Sequence, residues 1–312
     1  MYWHLYFEGV VFNNRKKKLK SERTLLLRQK TIVATSMFHQ LALTCKDSGV
    51  QANAHEIVVS LTSFGHRVND VYLTIESIFQ QMQKASKIIL WLAIDEFPNK
   101  EKDLPRSLIK QMERGLSVRF CDEDLGPYKK FFYTLKEYSN SLILTVDDDV
   151  LYPSDMIDQL YRAYQSMPNV IHCQRAQRIT LDTRGNLIPY KKWKKGYMVD
   201  EPSLDVFPTG VGGVLYFPGC FAEEILDKET FMKMSPGADD VWLKAMSLKK
   251  GVFCKPITDI RPWGERYLVV EGSQLVALKR KNKAIGQGND SKLKAVFDAF
   301  NLYDNFREKV KK

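Results

Sequence analysis

Long apolar runs, paired cysteines and the glycine patterns that cradle nucleotides are all missing from this sequence. No stretch approaches the ~18 apolar residues that a membrane-spanning helix needs, so the chain is not expected to thread a bilayer. The opening Met1-Tyr-Trp-His-Leu-Tyr-Phe reaches Glu8 at once and lacks a basic leader, which argues against a secretory signal. Cys45, Cys121, Cys173, Cys220 and Cys254 are odd in number, widely spaced and free of any C-x-x-C pair. Neither a disulfide framework nor a zinc site is indicated, and a reducing cytoplasm is the expected setting. His4, His39, His55, His66 and His172 show no metal-ligand spacing. The glycine-rich stretch Pro208 to Val214 fits neither a P-loop nor a dinucleotide fingerprint, and reads as close backbone approach to a sugar or as an ordinary turn. No internal repeat is visible.

What is present describes an ordinary globular protein. At 312 residues, 44% hydrophobic and 27% charged, the chain can build one large domain with appendages. The net charge of +10 is concentrated in Arg15 to Lys20, Lys191 to Lys195, Lys279 to Lys281 and Lys311-Lys312. An anionic membrane surface, nucleic acid and a phosphorylated substrate all suit such patches. Nothing resembles a helix-turn-helix, a zinc finger or an aromatic RNA-binding strand, so nucleic acid is the weaker choice. The first patch opens an irregular segment of about fifty residues, with an amphipathic helix over Leu25 to Leu43. Its Leu26, Val33, Met37 and Leu41 recur at helical spacing and suit packing on the domain or on lipid.

From Glu56 a βα rhythm begins. Strands are expected at Ile57 to Thr62, Ile88 to Ile94, Ser117 to Cys121 and Leu142 to Val146. Helices are expected at Asn69 to Gln81, Leu104 to Arg114 and Tyr128 to Tyr138. That alternation predicts an α/β fold with a mostly parallel sheet flanked by helices, all strand carboxyl ends lying on one edge. The fourth strand runs straight into Asp147, Asp148 and Asp149. Three carboxylates at a buried strand end raise one another's pKa unless a cation intervenes, and one alone would cap the following helix. Hard oxygen ligands here suit Mg²⁺ or Mn²⁺ carrying a diphosphate.

The order β-Thr62-Ser63-x-Gly65, β-Asp95, a short third strand, a Lys-bearing helix and a strand ending Asp147-Asp148-Asp149 resembles GT-A glycosyltransferases of bacterial surface-polysaccharide and lipopolysaccharide assembly. The resemblance covers roughly residues 55 to 260. It implies a GT-A fold and a nucleotide-sugar donor, UDP-linked by preference. By that likeness Thr62, Ser63, Arg67 and Asp95 hold base and ribose, and Lys129 and Lys130 lie near the diphosphate. Asp149 becomes the principal metal ligand, with Asp147 and Asp148 supporting. The acceptor implied is a glycan or lipid-linked glycan at the cytoplasmic membrane face.

Asp239 and Asp240 open a helix after Gly237, as does the acidic pair of inverting GT-A enzymes. The resemblance makes Asp240 the base that deprotonates the acceptor and Asp239 its partner, whereas a plain helix start needs them only as cap and dipole complement. Trp242 is either core or a sugar-stacking face. Arg175 and Arg178, leaving a fifth strand, suit either an acceptor phosphate or carboxylate or a surface ion pair. Asn289-Asp290 suits a helix cap before a last helix, Leu293 to Phe306, or a loop closing over donor. The division expected is a basic, amphipathic appendage at 1–54, a catalytic domain at 55–265 with donor half 55–152 and acceptor half 153–265, and a C-terminal loop and helix at 266–312. Competing readings are a nucleotidyl or phosphoryl transferase using the same carboxylates for Mg²⁺, and a basic adaptor without activity. A haloacid-dehalogenase-type phosphatase is disfavoured, because its Asp-x-Asp belongs on the first strand and Leu151 stands where that motif wants Thr or Val.

Overall fold

The computed structural model describes residues 2–270 and 288–307, without the side chains of 2–20 and 307. The basic groups at Lys279 to Lys281 and Lys311-Lys312 lie outside the described residues. In chain order the elements are α1 Tyr2–Thr44, β1 Ile57–Thr62, α2 Val71–Phe79, β2 Lys87–Ala93, α3 Arg106–Met112, β3 Leu116–Cys121, α4 Lys129–Glu137 and β4 Leu142–Thr145. Then follow β5 Val150–Leu151, α5 Met156–Ser166, β6 Ile171–Cys173, β7 Ala176–Arg178, β8 Val206–Pro208, β9 Val214–Tyr216, α6 Lys228–Met234 and α7 Asp239–Lys249. The last are β10 Cys254–Pro256, α8 Trp263–Arg266, β11 Leu268–Val269, α9 Asn289–Ala299 and α10 Asp304–Arg307.

The expected α/β sheet is present. Seven strands in the order β10-β6-β9-β4-β1-β2-β3 form the centre, and all pairings except those of β9 are parallel. β1 and β4 are buried on both faces, as their unbroken apolar runs require. On one face Ile57, Val59 and Leu61 pack with α2, α3 and α5 residues such as Ile75, Leu108 and Leu160. Val58, Ile89 and Trp91 face the other way, toward Tyr133 of α4, while the core beyond holds Phe131, Phe231, Trp242 and Phe297. Trp242 is thus a core residue, fully buried with its indole N–H donated to the Ile225 carbonyl at 2.9 Å.

The strand directions decide what meets at the polar edge. β1, β2 and β4 all end there, and β9 begins there, because Val214 at its start pairs with Thr145 at the end of β4. Cys173 at the end of β6 pairs with the same Val214. The glycine turn before β9 and the residues after β6 are therefore delivered beside Asp147 to Asp149.

The amino-terminal segment departs from expectation. It is one helix from Tyr2 to Thr44 rather than an irregular stretch, and its inward stripe is Ala34, Phe38, Leu41 and Ala42. Leu26, Val33 and Met37 of the expected stripe are exposed at 52%, 68% and 49%. The helix carries two apolar faces, and small Ala34 and Ala42 let its backbone approach α2 where the bulkier set cannot.

A buried ion pair ties α2 to the turn before β3. Glu76 is fully buried and takes both terminal nitrogens of Arg114, at 2.7 and 2.9 Å, with Gln111 adding a bond at 3.1 Å. Removing one partner strands the other charge in the core. Glu76→Ala should therefore cost roughly 3 kcal/mol or more in denaturant unfolding, and a loss below about 1 kcal/mol would refute this.

Candidate active site

After β4, Val146 stays buried and the chain turns through the three aspartates into β5. They do not point the same way. Asp148 turns inward, where its carboxylate accepts from Ser63 Oγ at 2.6 Å and from the Arg67 guanidinium, while Thr74 Oγ1 bonds its carbonyl at 3.0 Å. Burial pushes its carboxyl up to about 6 even against the pull of Arg67 and Ser63. Arg67 also reaches Asp149 Oδ2 at 3.0 Å, so one buried guanidinium serves two carboxylates. Asp147 faces the other side, where its Oδ1 meets Lys130 Nζ at 2.8 Å. Its amide N–H is held by the buried Tyr152 hydroxyl at 2.9 Å.

Around that first constellation the other expected residues are unevenly placed. Ser63 and Arg67 are there, committed to Asp148. Thr62 spends its hydroxyl on the Trp91 carbonyl at 2.8 Å, and Asp95 stands exposed in the short turn after β2. Beside it Glu96, which the sequence did not single out, accepts from the Gly65 amide at 2.6 Å and fixes the loop after β1. Lys129 is not near the triplet's carboxylates: it is buried and paired with Asp124. Only Lys130 of the basic pair faces the acidic cluster.

The second constellation arrives from the opposite side. Asp239 and Asp240 occupy the first turn of α7, yet no side chain caps this helix and Ala238 is its N-cap residue. Asp239 Oδ2 lies 3.0 Å from Lys130 Nζ, the same ammonium that meets Asp147. Asp240 accepts the Gly210 amide N–H with both oxygens, at 3.0 and 3.1 Å. A Cβ on Gly210 would stand 3.0 Å from Asp240 Oδ1, 3.3 Å from Lys130 Nζ and 3.4 Å from Asp147 Oδ1. The glycine leaves room for this convergence, and a side chain would press into it.

One cation thus sits among three carboxylates. Burial alone would lower the Lys130 pKa, but Asp147, Asp239 and Asp240 carry it well above the usual lysine range. Asp240 is pushed up to about 7, first by burial and then by the charge of Asp239. A carboxyl poised near neutrality is suited to move a proton.

Gly210 and Tyr152 were the residues sequence reasoning missed. The glycine-rich turn had signalled close backbone approach, without indicating that α7 would be the neighbour. Tyr152 carries no local signal of its role.

The divalent metal implied by the resemblance can be tested against these donors. Asp147 and Asp149 offer hard carboxylate oxygens at alternate positions, each paired here with one cation, Lys130 and Arg67, while Asp148 is buried against Arg67 and Ser63. Among the described residues, no three His, Cys, Asp or Glu side chains gather to hold a metal. Mg²⁺ and Mn²⁺ are commonly held by one or two carboxylates together with substrate phosphates and water. The donor set fits an ion that arrives with a diphosphate, Asp147 and Asp149 being the residues that would hold it.

No family model matches the chain, and no curated protein does so. Among solved structures it is similar to S. aureus TarS residues 1–349 in complex with UDP, at 11% identity and a TM-score of 0.42, over 65% of this chain and 58% of that one. It is also similar to the mannosyltransferase PcManGT from Pyrobaculum calidifontis in complex with GDP-Man and Mn²⁺, at 11% identity and a TM-score of 0.45, over 90% of this chain and 79% of that one. The chain spans 58% of the TarS fragment's length.

Proposed function

We propose that the chain transfers a sugar from a nucleotide diphosphate donor to an acceptor hydroxyl at this edge of the sheet. The observation that carries the reading is Lys130, which joins the strand-end aspartates to the acidic start of α7 and makes one site of two distant segments. Asp147 and Asp149 would hold a divalent ion, whose chemistry is to stabilise the departing diphosphate. Arg67 and Ser63 hold the triplet's turn in shape through Asp148, and Thr62, Ser63 and Asp95 border the nucleoside. Asp240 takes the proton of the acceptor hydroxyl as its oxygen bonds the anomeric carbon and the nucleoside diphosphate leaves with the bonding electron pair. Asp239, paired with Lys130, keeps negative charge beside Asp240 and sustains its basicity. The acceptor we favour is a glycan or lipid-linked glycan of cell-surface polysaccharide assembly. Screening UDP- and GDP-sugars with and without Mn²⁺ tests the reading. Metal-dependent release of nucleoside diphosphate supports it, and release of sugar 1-phosphate would favour nucleotidyl transfer instead.

The same reading places the enzyme on an anionic membrane face. Among the described residues no helix is long and apolar enough to cross a membrane. α1 instead presents Leu25, Leu26, Ile32, Val33, Met37 and Leu43 to solvent, and the sequence just before them is the run Arg15 to Lys20. Exposed apolar side chains next to cations suit the headgroup boundary. Each cation near such a surface is worth about 1 kcal/mol, so replacing Lys16, Lys17, Lys18 and Lys20 by Ser should weaken vesicle binding by roughly a hundredfold or more. Sedimentation with phosphatidylserine vesicles checks this, and equal binding by the wild type and the quadruple variant would refute it. Deleting everything before Gln51 is a poorer test, because it also strips Phe38 and Ala42 from the packed core.

A further inference from the structure

The two arginines after β6 have different surroundings. Arg178 is paired with Asp205 at 3.1 Å. Arg261 and Arg266, nearby in the fold, are both bonded to Asp259, at 2.5 and 3.2 Å. Arg175 has no carboxylate partner among the described residues, and its half-buried guanidinium lies over the Trp263 ring at 5.4 Å. Trp263 is itself stacked on Tyr267, with ring centroids 3.8 Å apart and planes 5° from parallel. The indole is further fixed against Gly212, where a Cβ would come within 2.7 Å of it.

The backbone places this pair next to the proposed base. The Arg175 carbonyl accepts the Thr209 amide at 3.0 Å, and the next residue, Gly210, donates its amide to Asp240. Tyr190 lies within electrostatic reach of both. Burial raises its phenol to about 12, Asp240 pushes in the same direction, and Arg175 opposes. Tyr190 is positioned by Gln177, which donates to its hydroxyl at 2.6 Å.

We infer that Arg175, over the fixed face of Trp263, is the subsite for an anionic oxygen group, phosphate or carboxylate, on the acceptor close to its reacting hydroxyl. The inference rests on the transfer reading for the word acceptor, and on the unpaired guanidinium for the anion. A guanidinium presents a planar fork that matches either oxyanion, and pairs of this kind are stronger than neutral hydrogen bonds. Arg178, Arg261 and Arg266 already have carboxylate partners, which leaves Arg175 as the cation turned to a ligand.

Equilibrium binding of glucose, glucose 6-phosphate and glucuronate to the full chain, followed by tryptophan fluorescence or calorimetry, tests it without relying on turnover. The phosphate and carboxylate arms distinguish the two sources of the anion. At least one anionic sugar should bind roughly tenfold or more tighter than glucose, a margin that Arg175→Gln should erase and Arg175→Lys partly restore. Arg178→Gln should leave the margin intact, because Arg178 already has Asp205. Equal binding of glucose and both anions, or an anion preference that survives in Arg175→Gln, would overturn the inference. Arg175-dependent binding without turnover of any nucleotide sugar would retain the anion subsite and discard the transfer reading.

Discussion

Asp240→Asn should lower transfer by roughly two to four orders of magnitude, the loss typical of removing a general base. The effect should fall on kcat, with donor and metal affinity near wild type, because Asp240 bonds the Gly210 amide and neither Asp147 nor Asp149. In the wild type kcat/KM should rise with pH through about 7, where Asp240 ionises, and the variant should lack that limb. Stability should move the opposite way. A carboxyl whose folded pKa is raised binds its proton more tightly in the native state, so its contribution is present below the unfolded value near 3.8 and lost as pH rises through about 7. At pH 8 the wild type carries that cost and Asn does not, so Asp240→Asn should melt higher there. Nor is a helix cap at stake, since α7 takes no side-chain cap from either aspartate. A variant with full activity would remove Asp240 from the catalytic set.

Asp149→Asn should abolish metal-stimulated turnover while leaving the fold intact. The amide keeps the shape and loses the charge a divalent ion needs, and Arg67 retains Asp148 as its partner. Mn²⁺ titrations after chelator treatment, with circular dichroism on the same sample, check this. A wild type whose turnover is indifferent to chelator would sink the metal assignment and leave Lys130 and Arg67 as the site's cations.

Much of this arrangement could be read from residue order. The apolar run into Asp147 announced a buried strand with a charged end, and the βα rhythm announced which edge it would share. What could not be read was the third dimension of short or ambiguous segments. β9 has only the three residues Val214–Tyr216, and its antiparallel direction is set by neighbours rather than by its own pattern. Yet that direction is what brings Gly210 to Asp240. Lys129 and Lys130 are adjacent in sequence but about 100° apart around a helix, so one reaches Asp124 and the other the acidic centre. α1 has apolar residues on two faces, and periodicity does not say which is inward. Asp290 had suggested a cap, but it accepts the Tyr190 amide at 2.5 Å across the fold, a contact no local signal encodes.

The central claim is that the strand-end aspartates and the acidic start of α7 form one glycosyl-transfer site. Its most direct test is a product analysis with a sugar-labelled nucleotide donor and a glycan acceptor, run in parallel on wild type, Asp149→Asn and Asp240→Asn. The account predicts that the wild type moves label to the acceptor with one nucleoside diphosphate released per transfer, and that each variant fails. Label recovered as sugar 1-phosphate rather than on the acceptor, or equal transfer by all three proteins, would contradict it.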